Sequence, residues 1–141
     1  IIPKRLFEYP YPTIDADIVL DEAGIYHLFF NTWGGADGLL RRQYMFTDLH
    51  DQDKWRLVEG RMQPNDIASE GSCAYPLAGG EWILVYDCFR DGFSQFCRSK
   101  DLIQFELVRT TSMDKGAFSP RHGTVIQITE KEFEILKKRY K

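Results

Sequence analysis

Two carboxylate side chains, Asp15 and Glu70, open the two copies of a near-repeat in this 141-residue chain. Each copy continues with a hydrophobic strand, a glycine-containing turn and a second strand rich in aromatic residues. A pair of carboxyl groups can divide acid–base work, because one can protonate a leaving oxygen while another remains ionised. The repeat therefore predicts carboxylate chemistry on a sugar, provided that the two opening strands lie side by side.

A simpler explanation of these carboxylates stays open, in which they only accept hydrogen bonds from backbone amides at the starts of strands. Asp17 also competes with Asp15, since side chains two residues apart in a strand point to the same face. Asp17 could lie lower in the same channel or hold a turn.

The elements that must position these groups are short strands separated by glycine and aspartate turns, a pattern that favours antiparallel sheet. The pattern predicts strands near 15–20, 25–31, 40–47 and 54–58 in the first copy, and near 70–76, 81–87, 93–99 and 104–109 in the second. A repeat of this length with four strands per copy is typical of a β-propeller blade. We therefore predict an all-β fold.

The chain divides into four predicted segments. A proline-bearing connector covers 1–13, propeller blades cover 14–60 and 61–112, and 113–141 holds a closing strand near 123–128 followed by a C-terminal helix. Thr129 and Glu132 have the spacing of a capping box at the start of that helix. Phe133, Leu136 and Tyr140 fall on one of its faces, which we expect to pack against the sheets.

Composition excludes several classes of partner. The net charge of −3 gives no reason to expect nucleic acid or an anionic membrane surface. No apolar run approaches the roughly 18 residues that a membrane-spanning helix needs. The three cysteines form no Cys-x-x-Cys pair, which argues against a zinc site or a disulfide framework and favours buried free thiols.

Three segments, in this order, resemble glycoside hydrolase family 43, which includes arabinofuranosidases, arabinanases and β-xylosidases. They are Ile14–Val19, Ser69–Ser72 and Pro120–Ile126. The resemblance implies a five-bladed β-propeller with three acidic residues around a central pocket: a general base, a modulator of pKa and a general acid. The chain departs from the family pattern at Ala16 and Ser72, where the family often has proline, but the neighbouring carboxylates are kept.

Carried over position by position, the resemblance implies that Asp15 is the pKa modulator and Glu70 the general acid. His122 matches the family's central histidine, which in many members lies near a calcium ion or a water in the channel. The resemblance implies no required cofactor, and calcium in the central channel is the one ion it suggests.

Substrate-binding candidates flank these residues. Arg121 could bind a sugar hydroxyl or pair with Asp15 or Glu70, and the sequence leaves these open. Trp33 and Phe89 lie at predicted loop ends, where they could stack on a sugar ring or pack between blades.

The length of the chain limits this interpretation, because the family fold needs roughly twice as many residues. About two and a half blades of four-stranded antiparallel sheet can be formed, and the blades that would carry the general base have no counterpart. We therefore expect the C-terminal part of an inverting glycosidase that supplies the general acid and is inactive alone. Its expected substrates are plant-type oligo- or polysaccharides that contain arabinose or xylose.

Two other functions remain compatible with the sequence. Degenerate blades could form a non-catalytic carbohydrate-binding or interaction module. Incomplete sheets also expose edge strands, which favour self-association or pairing with the N-terminal blades.

Overall fold

The structure, a computed structural model, describes residues 5–32, 40–45, 49, 51–114, 116 and 119–140. These residues form two four-stranded antiparallel sheets followed by one helix. Trp33, a predicted sugar-stacking residue, lies outside the described residues. No described helix has both the length and the apolar character needed to cross a membrane.

Both sheets are meanders in which each strand pairs with the next. The first sheet contains β1 (Thr13–Leu20), β2 (Tyr26–Thr32), β3 (Leu40–Met45) and β4 (Arg56–Val58). The second contains β5 (Glu70–Pro76), β6 (Trp82–Cys88), β7 (Phe93–Ser99) and β8 (Glu106–Ser112). The strands lie where the alternating pattern and the glycine turns predict them, so the prediction of antiparallel β structure is confirmed. The propeller architecture and the number of its blades stay predictions.

A bulge interrupts the first strand of each sheet. The register shifts between Ile14 and Asp17 in β1 and between Glu70 and Cys73 in β5. A β-bulge bends its strand and re-aims side chains. Strict alternation therefore does not hold here, and the argument that Asp15 and Asp17 point the same way loses its basis.

Strand pairing also corrects the alignment of the two copies. Ile14 lies opposite Asn31, and Glu70 lies opposite Asp87. The structural equivalent of Glu70 is therefore Ile14, and that of Asp15 is Gly71. The expectation that Asp15 and Glu70 occupy the same point of the repeat is wrong by one residue.

The main core lies between the two sheets. Its buried side chains are Phe29, Met62, Ala74, Leu84, Tyr86, Cys88, Cys97 and Leu102. A second cluster, formed by Leu28, Phe30 and Trp55, packs against the N-terminal segment through Phe7 and Tyr9. All three cysteines are buried free thiols, as predicted.

Polar side chains connect the first sheet to β5. The Oδ2 atom of Asp15 accepts a hydrogen bond from the Gly71 amide at 3.0 Å. The Oδ2 atom of Asp17 accepts one from the Ala74 amide at 2.7 Å. Strands β1 and β5 are thereby fixed next to each other, which places the start of β5 beside the bulge of β1.

The prediction of a closing strand at 123–128 is wrong. Among the described residues this segment joins neither sheet, and residues 123–125 instead line a cavity together with Val85 and Phe96 of the second sheet. Just before it, the backbone amide of His122 donates a hydrogen bond to the Asp87 carboxylate in β6. We call residues 120–125 the crossing segment.

The C-terminal helix α1 (Glu130–Arg139) has the predicted capping box at Thr129 and Glu132. The expectation that it packs on the sheets is wrong, since none of its residues is buried. Phe133 and Leu136 remain about half exposed, at 45% and 44%. Three apolar positions give this ten-residue helix little apolar surface to bury.

Candidate active site

Three predicted site residues converge where the two sheets meet. Asp15, Glu70 and His122 each place one ligand atom within 4.8 Å of the others. Asp15 comes from the bulge of β1, Glu70 from the first position of β5, and His122 from the segment that crosses the second sheet. The fold thus joins residues that lie more than 100 positions apart at their extremes, Asp15 and His122.

Glu70 lies at the centre of the cluster with a side chain that is only 13% exposed. Its Oε1 atom forms an ion pair with the Arg121 guanidinium, and the Nε2 atom of His122 lies 3.3 Å from the same oxygen. Of the two partners that the sequence left open for Arg121, Asp15 and Glu70, the structure selects Glu70. The guanidinium is a charge-assisted partner of this oxygen, and the imidazole lies beside it.

Asp15 combines a structural contact with a place in the cluster. One carboxylate oxygen accepts the Gly71 amide, and the other lies 3.9 Å from Nδ1 of His122. Asp15 therefore does make the backbone contact of the simpler explanation. It also presents negative charge to the imidazole that reaches Glu70.

His122 is held in an uncommon backbone conformation, with φ at +52°. Its ring packs directly on Gly71, where an added Cβ would lie 2.8 Å from Cγ of the imidazole. Gly71 itself has φ of +61°, which L side chains rarely adopt. The positive φ therefore favours glycine here, and the imidazole above it leaves no room for a Cβ.

Phe89 lies beside Arg121 at the end of β6. Its ring centroid is 5.7 Å from Cζ of Arg121 and 5.5 Å from Cζ of Arg90. These contacts are cation–π interactions, which hold a guanidinium over an aromatic face. The stacking of Phe89 on a sugar stays a prediction, since in this structure the ring orients Arg121.

A family model described as a probable glycosyl hydrolase domain, related to glycoside hydrolase family 43, matches residues 3–134. The chain belongs to this family. The expected likeness to family 43 is thereby confirmed, and the domain is glycosidase-like in kind. No curated protein matches the chain.

Two solved structures share the fold of this glycosyl hydrolase domain. One is described by the statement that the GH130 family of mannoside phosphorylases contains glycoside hydrolases that target β-1,2 mannosidic linkages in Candida mannan. The other is a glycosyl hydrolase from Bacteroides ovatus. Each aligns with a TM-score of 0.54 at 14% identity over 81% of this chain, which covers 34% and 35% of their lengths. The chain therefore spans about a third of these structures.

His122 is the residue that the resemblance places near a calcium ion or a water in the channel, and here it lies with Asp15 and Glu70. Calcium takes six to eight oxygen ligands, whereas this cluster offers two carboxylates and an imidazole, with the Arg121 guanidinium already on Glu70. The described donors do not fit a calcium ion well. Calcium in the channel remains a prediction, and the chemistry below does not use it.

The sequence analysis did not identify the roles of two polar residues of the glycosyl hydrolase domain, Asp87 and Asn31. Asp87 has a carboxylate that accepts a hydrogen bond from the backbone amide of His122. Asn31 was not singled out, although its Nδ2 atom donates to the backbone oxygen and Oγ of Ser69 at 2.8 and 2.9 Å. The repeat is the signal that could have identified both, because Asn31 and Asp87 occupy the same position in the second strand of their copies.

Proposed function

We propose that this domain contributes Glu70 as the proton donor in the hydrolysis of arabinose- or xylose-containing glycans by an inverting mechanism. The observation that carries the proposal is the convergence of Arg121 and His122 on the largely buried Glu70 carboxylate. Membership of a glycosyl hydrolase family supports the reaction class. The mechanism and the pentose-containing substrate are parts of the proposal.

The distance between carboxylates supports separate roles for Asp15 and Glu70. Inverting enzymes place their acid and base roughly 6.5–9.5 Å apart, which leaves room for the attacking water. Asp15 and Glu70 have oxygens within 4.8 Å, closer than the acid and base of an inverting enzyme. Asp15 is therefore a modulator that orients His122 and repels charge on Glu70, and the base is a carboxylate from another part of the assembled propeller.

Arg121 must release Glu70 before that residue can hold a proton. The Arg121 side chain is 45% exposed and rests against the Phe89 ring, so it can turn toward the pocket without unpacking the core. In the proposed cycle, a substrate hydroxyl replaces Glu70 as the partner of the Arg121 guanidinium when the sugar binds. Glu70, left beside Asp15 without its cation, then takes up the proton that it later gives to the leaving oxygen.

The decisive variant is Glu70→Gln in the longest native protein that contains this sequence. Hydrolysis of arabino- or xylo-oligosaccharides should fall by about 100-fold or more, because general acid catalysis contributes roughly 10²–10⁴-fold. Aryl glycosides with good leaving groups should lose less, since they need little protonation. Glu81→Gln is the matched control: Glu81 immediately precedes β6, outside the cluster, and lies 3.9 Å from Arg98.

The same assay separates other outcomes. NMR of the first-formed product reports inversion or retention at the anomeric carbon. Equal hydrolysis by the wild type and the Glu70→Gln variant would overturn the proposal. Sugar binding without turnover in the wild type would favour a non-catalytic carbohydrate-binding module instead.

A mannose-containing substrate is the second candidate. It is favoured by the fold shared with the structure described for β-1,2 mannosidic linkages. Adding β-1,2-mannobiose to the panel, with and without inorganic phosphate, tests this candidate directly. Turnover of the mannoside alone would replace the pentose specificity while leaving the role of Glu70 intact.

A further inference from the structure

We infer that Asp87 is a positioning residue that holds the Arg121–His122 pair over Glu70. The inference deepens the proposed function and rests on it for its catalytic consequence. Asp87 is 5% exposed and lies directly opposite Glu70 in the pairing of β5 and β6. Its place next to Glu70 makes it a second buried carboxylate at the same end of the sheet.

Both oxygens of Asp87 are engaged. Oδ2 accepts the His122 backbone amide at 2.8 Å, and Oδ1 accepts the Ser94 hydroxyl at 2.8 Å. Ser94 lies in β7, so the carboxylate is fixed from the sheet side while it holds the crossing segment.

The crossing segment meets the second sheet mainly through polar contacts, of which the bond to Asp87 is one that fixes its backbone. A cavity of about 240 Å³ lies between residues 120–125 and the second sheet, lined in part by Val85, Phe96 and Val125. Apolar packing beneath the segment is therefore incomplete. His122 also has a positive φ, a conformation that persists only where surrounding contacts fix it.

Asp87 and Gly71 act on His122 from two sides. Asp87 fixes its backbone, and Gly71 provides the flat surface on which its ring lies. Together they determine where Nε2 meets Glu70, and Arg121 follows as the adjacent residue. A displacement of this segment would move both partners of Glu70 at once.

The test compares Asp87→Ala and Asp87→Asn with Asp101→Ala in ¹⁵N-labelled protein. Asp101 is the matched control, because its carboxylate, like that of Asp87, accepts hydrogen bonds from the backbone. The donors are the amides of Ile103 and Gln104, both at 2.8 Å. In Asp87→Ala, amide exchange of His122 should accelerate about tenfold or more, as expected for loss of a hydrogen bond to a charged group. The nuclear Overhauser contact between the His122 ring and Gly71 should disappear.

Asp87→Asn keeps one carbonyl oxygen for the amide and should accelerate exchange to a smaller extent. It decides the question if Asp87→Ala does not fold. Asp101→Ala should leave the exchange of His122 and its contact with Gly71 unchanged. Unchanged exchange and an intact contact in a folded Asp87 variant would overturn the inference.

Kinetics then test the consequence for catalysis. In the longest native protein, Asp87→Ala should lower kcat on oligosaccharides by on the order of 10- to 100-fold, because misplaced catalytic groups lose this much, while KM changes little. The exchange measurement needs no substrate. Failure of the proposed function would therefore appear in the Glu70→Gln assay, and failure of this inference in the spectra.

Discussion

The bulges that open β1 and β5 have the same backbone shape and carry different side chains. The residue with positive φ is Asp15 in one, at +52°, and Gly71 in the other, at +61°. Asp15 extends its carboxylate across to the backbone of the second sheet. Gly71 offers no side chain, and the space it leaves is filled by the His122 ring.

The residues opposite these bulges differ in the same way. Asn31 and Asp87 occupy equivalent positions, but Asn31 donates to Ser69 whereas Asp87 accepts from His122. An amide can donate and an ionised carboxylate cannot, so each residue matches the backbone group that reaches it. The comparison indicates that the first copy mainly docks the sheets and adds Asp15 to the site, while the second copy supplies Glu70 and Asp87.

Among the variants that test this comparison, Asn31→Asp should have the largest effect on stability. The side chain is fully buried, and the change replaces two donated hydrogen bonds with a carboxylate facing the Ser69 oxygen. We expect a loss of about 3 kcal/mol or more in the free energy of unfolding, as for other unpaired buried charges. Urea denaturation at neutral pH measures it. A loss within about 0.5 kcal/mol, the range of ordinary surface substitutions, would show that the two positions are interchangeable.

Asp15→Ala should have the next largest effect on stability. It removes a hydrogen bond between an ionised carboxylate and the Gly71 amide, worth about 2 kcal/mol. Asp15→Gly is the control, because it removes the same bond but suits the positive φ and should be about 1 kcal/mol more stable than Asp15→Ala. Equal denaturation midpoints for the two variants would argue against the positive φ at this position.

The sequence specifies the strands of both sheets well, because alternation and glycine turns are local signals. It does not specify the bulges. A bulge changes which side chains of β1 face β5, but no local pattern of residues marks its position. The role of Asp87 was equally hidden. It depends on a contact with His122, which lies 35 residues away along the chain.

The C-terminal region shows the same division. The capping box of α1 needs only Thr129 and Glu132, and it forms as predicted. A strand at 123–128 needs a neighbouring edge with matching register, which no local pattern supplies. Of the predicted cluster, Asp15, Glu70 and His122 do meet, because family motifs carry information on long-range contacts that periodicity lacks.

Asp17→Asn tests the contact between β1 and β5 through the pH dependence of stability. Its effect should be smaller than that of Asp15→Ala. Burial raises the pKa of Asp17 above its ordinary 3.8, although the amides of Ala74 and Ile18 oppose the shift. The folded state therefore holds a proton more tightly than the unfolded chain, and stability falls as pH rises from about 3.8 through the raised value. Asp17→Asn should remove this part of the decline, as measured by denaturation midpoints between acidic and neutral pH.

Asp21→Asn gives a control of opposite sign. Burial of Asp21 acts to raise its pKa, but hydrogen bonds from His27 and the amides of Ile25 and Ala23 outweigh it and lower the pKa. Asp21 therefore contributes stability that is present above its ordinary pKa and lost as pH falls. If both variants changed the pH profile in the same direction, the assignment of burial as the dominant effect on Asp17 would be wrong.

Thr129→Ala should have the smallest effect on the sheets, because α1 lies outside the region that the two bulges organise. Loss of the cap costs about 1 kcal/mol of helix stability, and none of the helix residues is buried against the sheets. Far-ultraviolet circular dichroism should show less helix while the unfolding midpoint of the sheets stays constant. Thr124→Ala, an exposed threonine outside the cap, should change neither signal. A lower midpoint in Thr129→Ala alone would mean that α1 stabilises the sheets, and the separation between docking, site and helix would no longer hold.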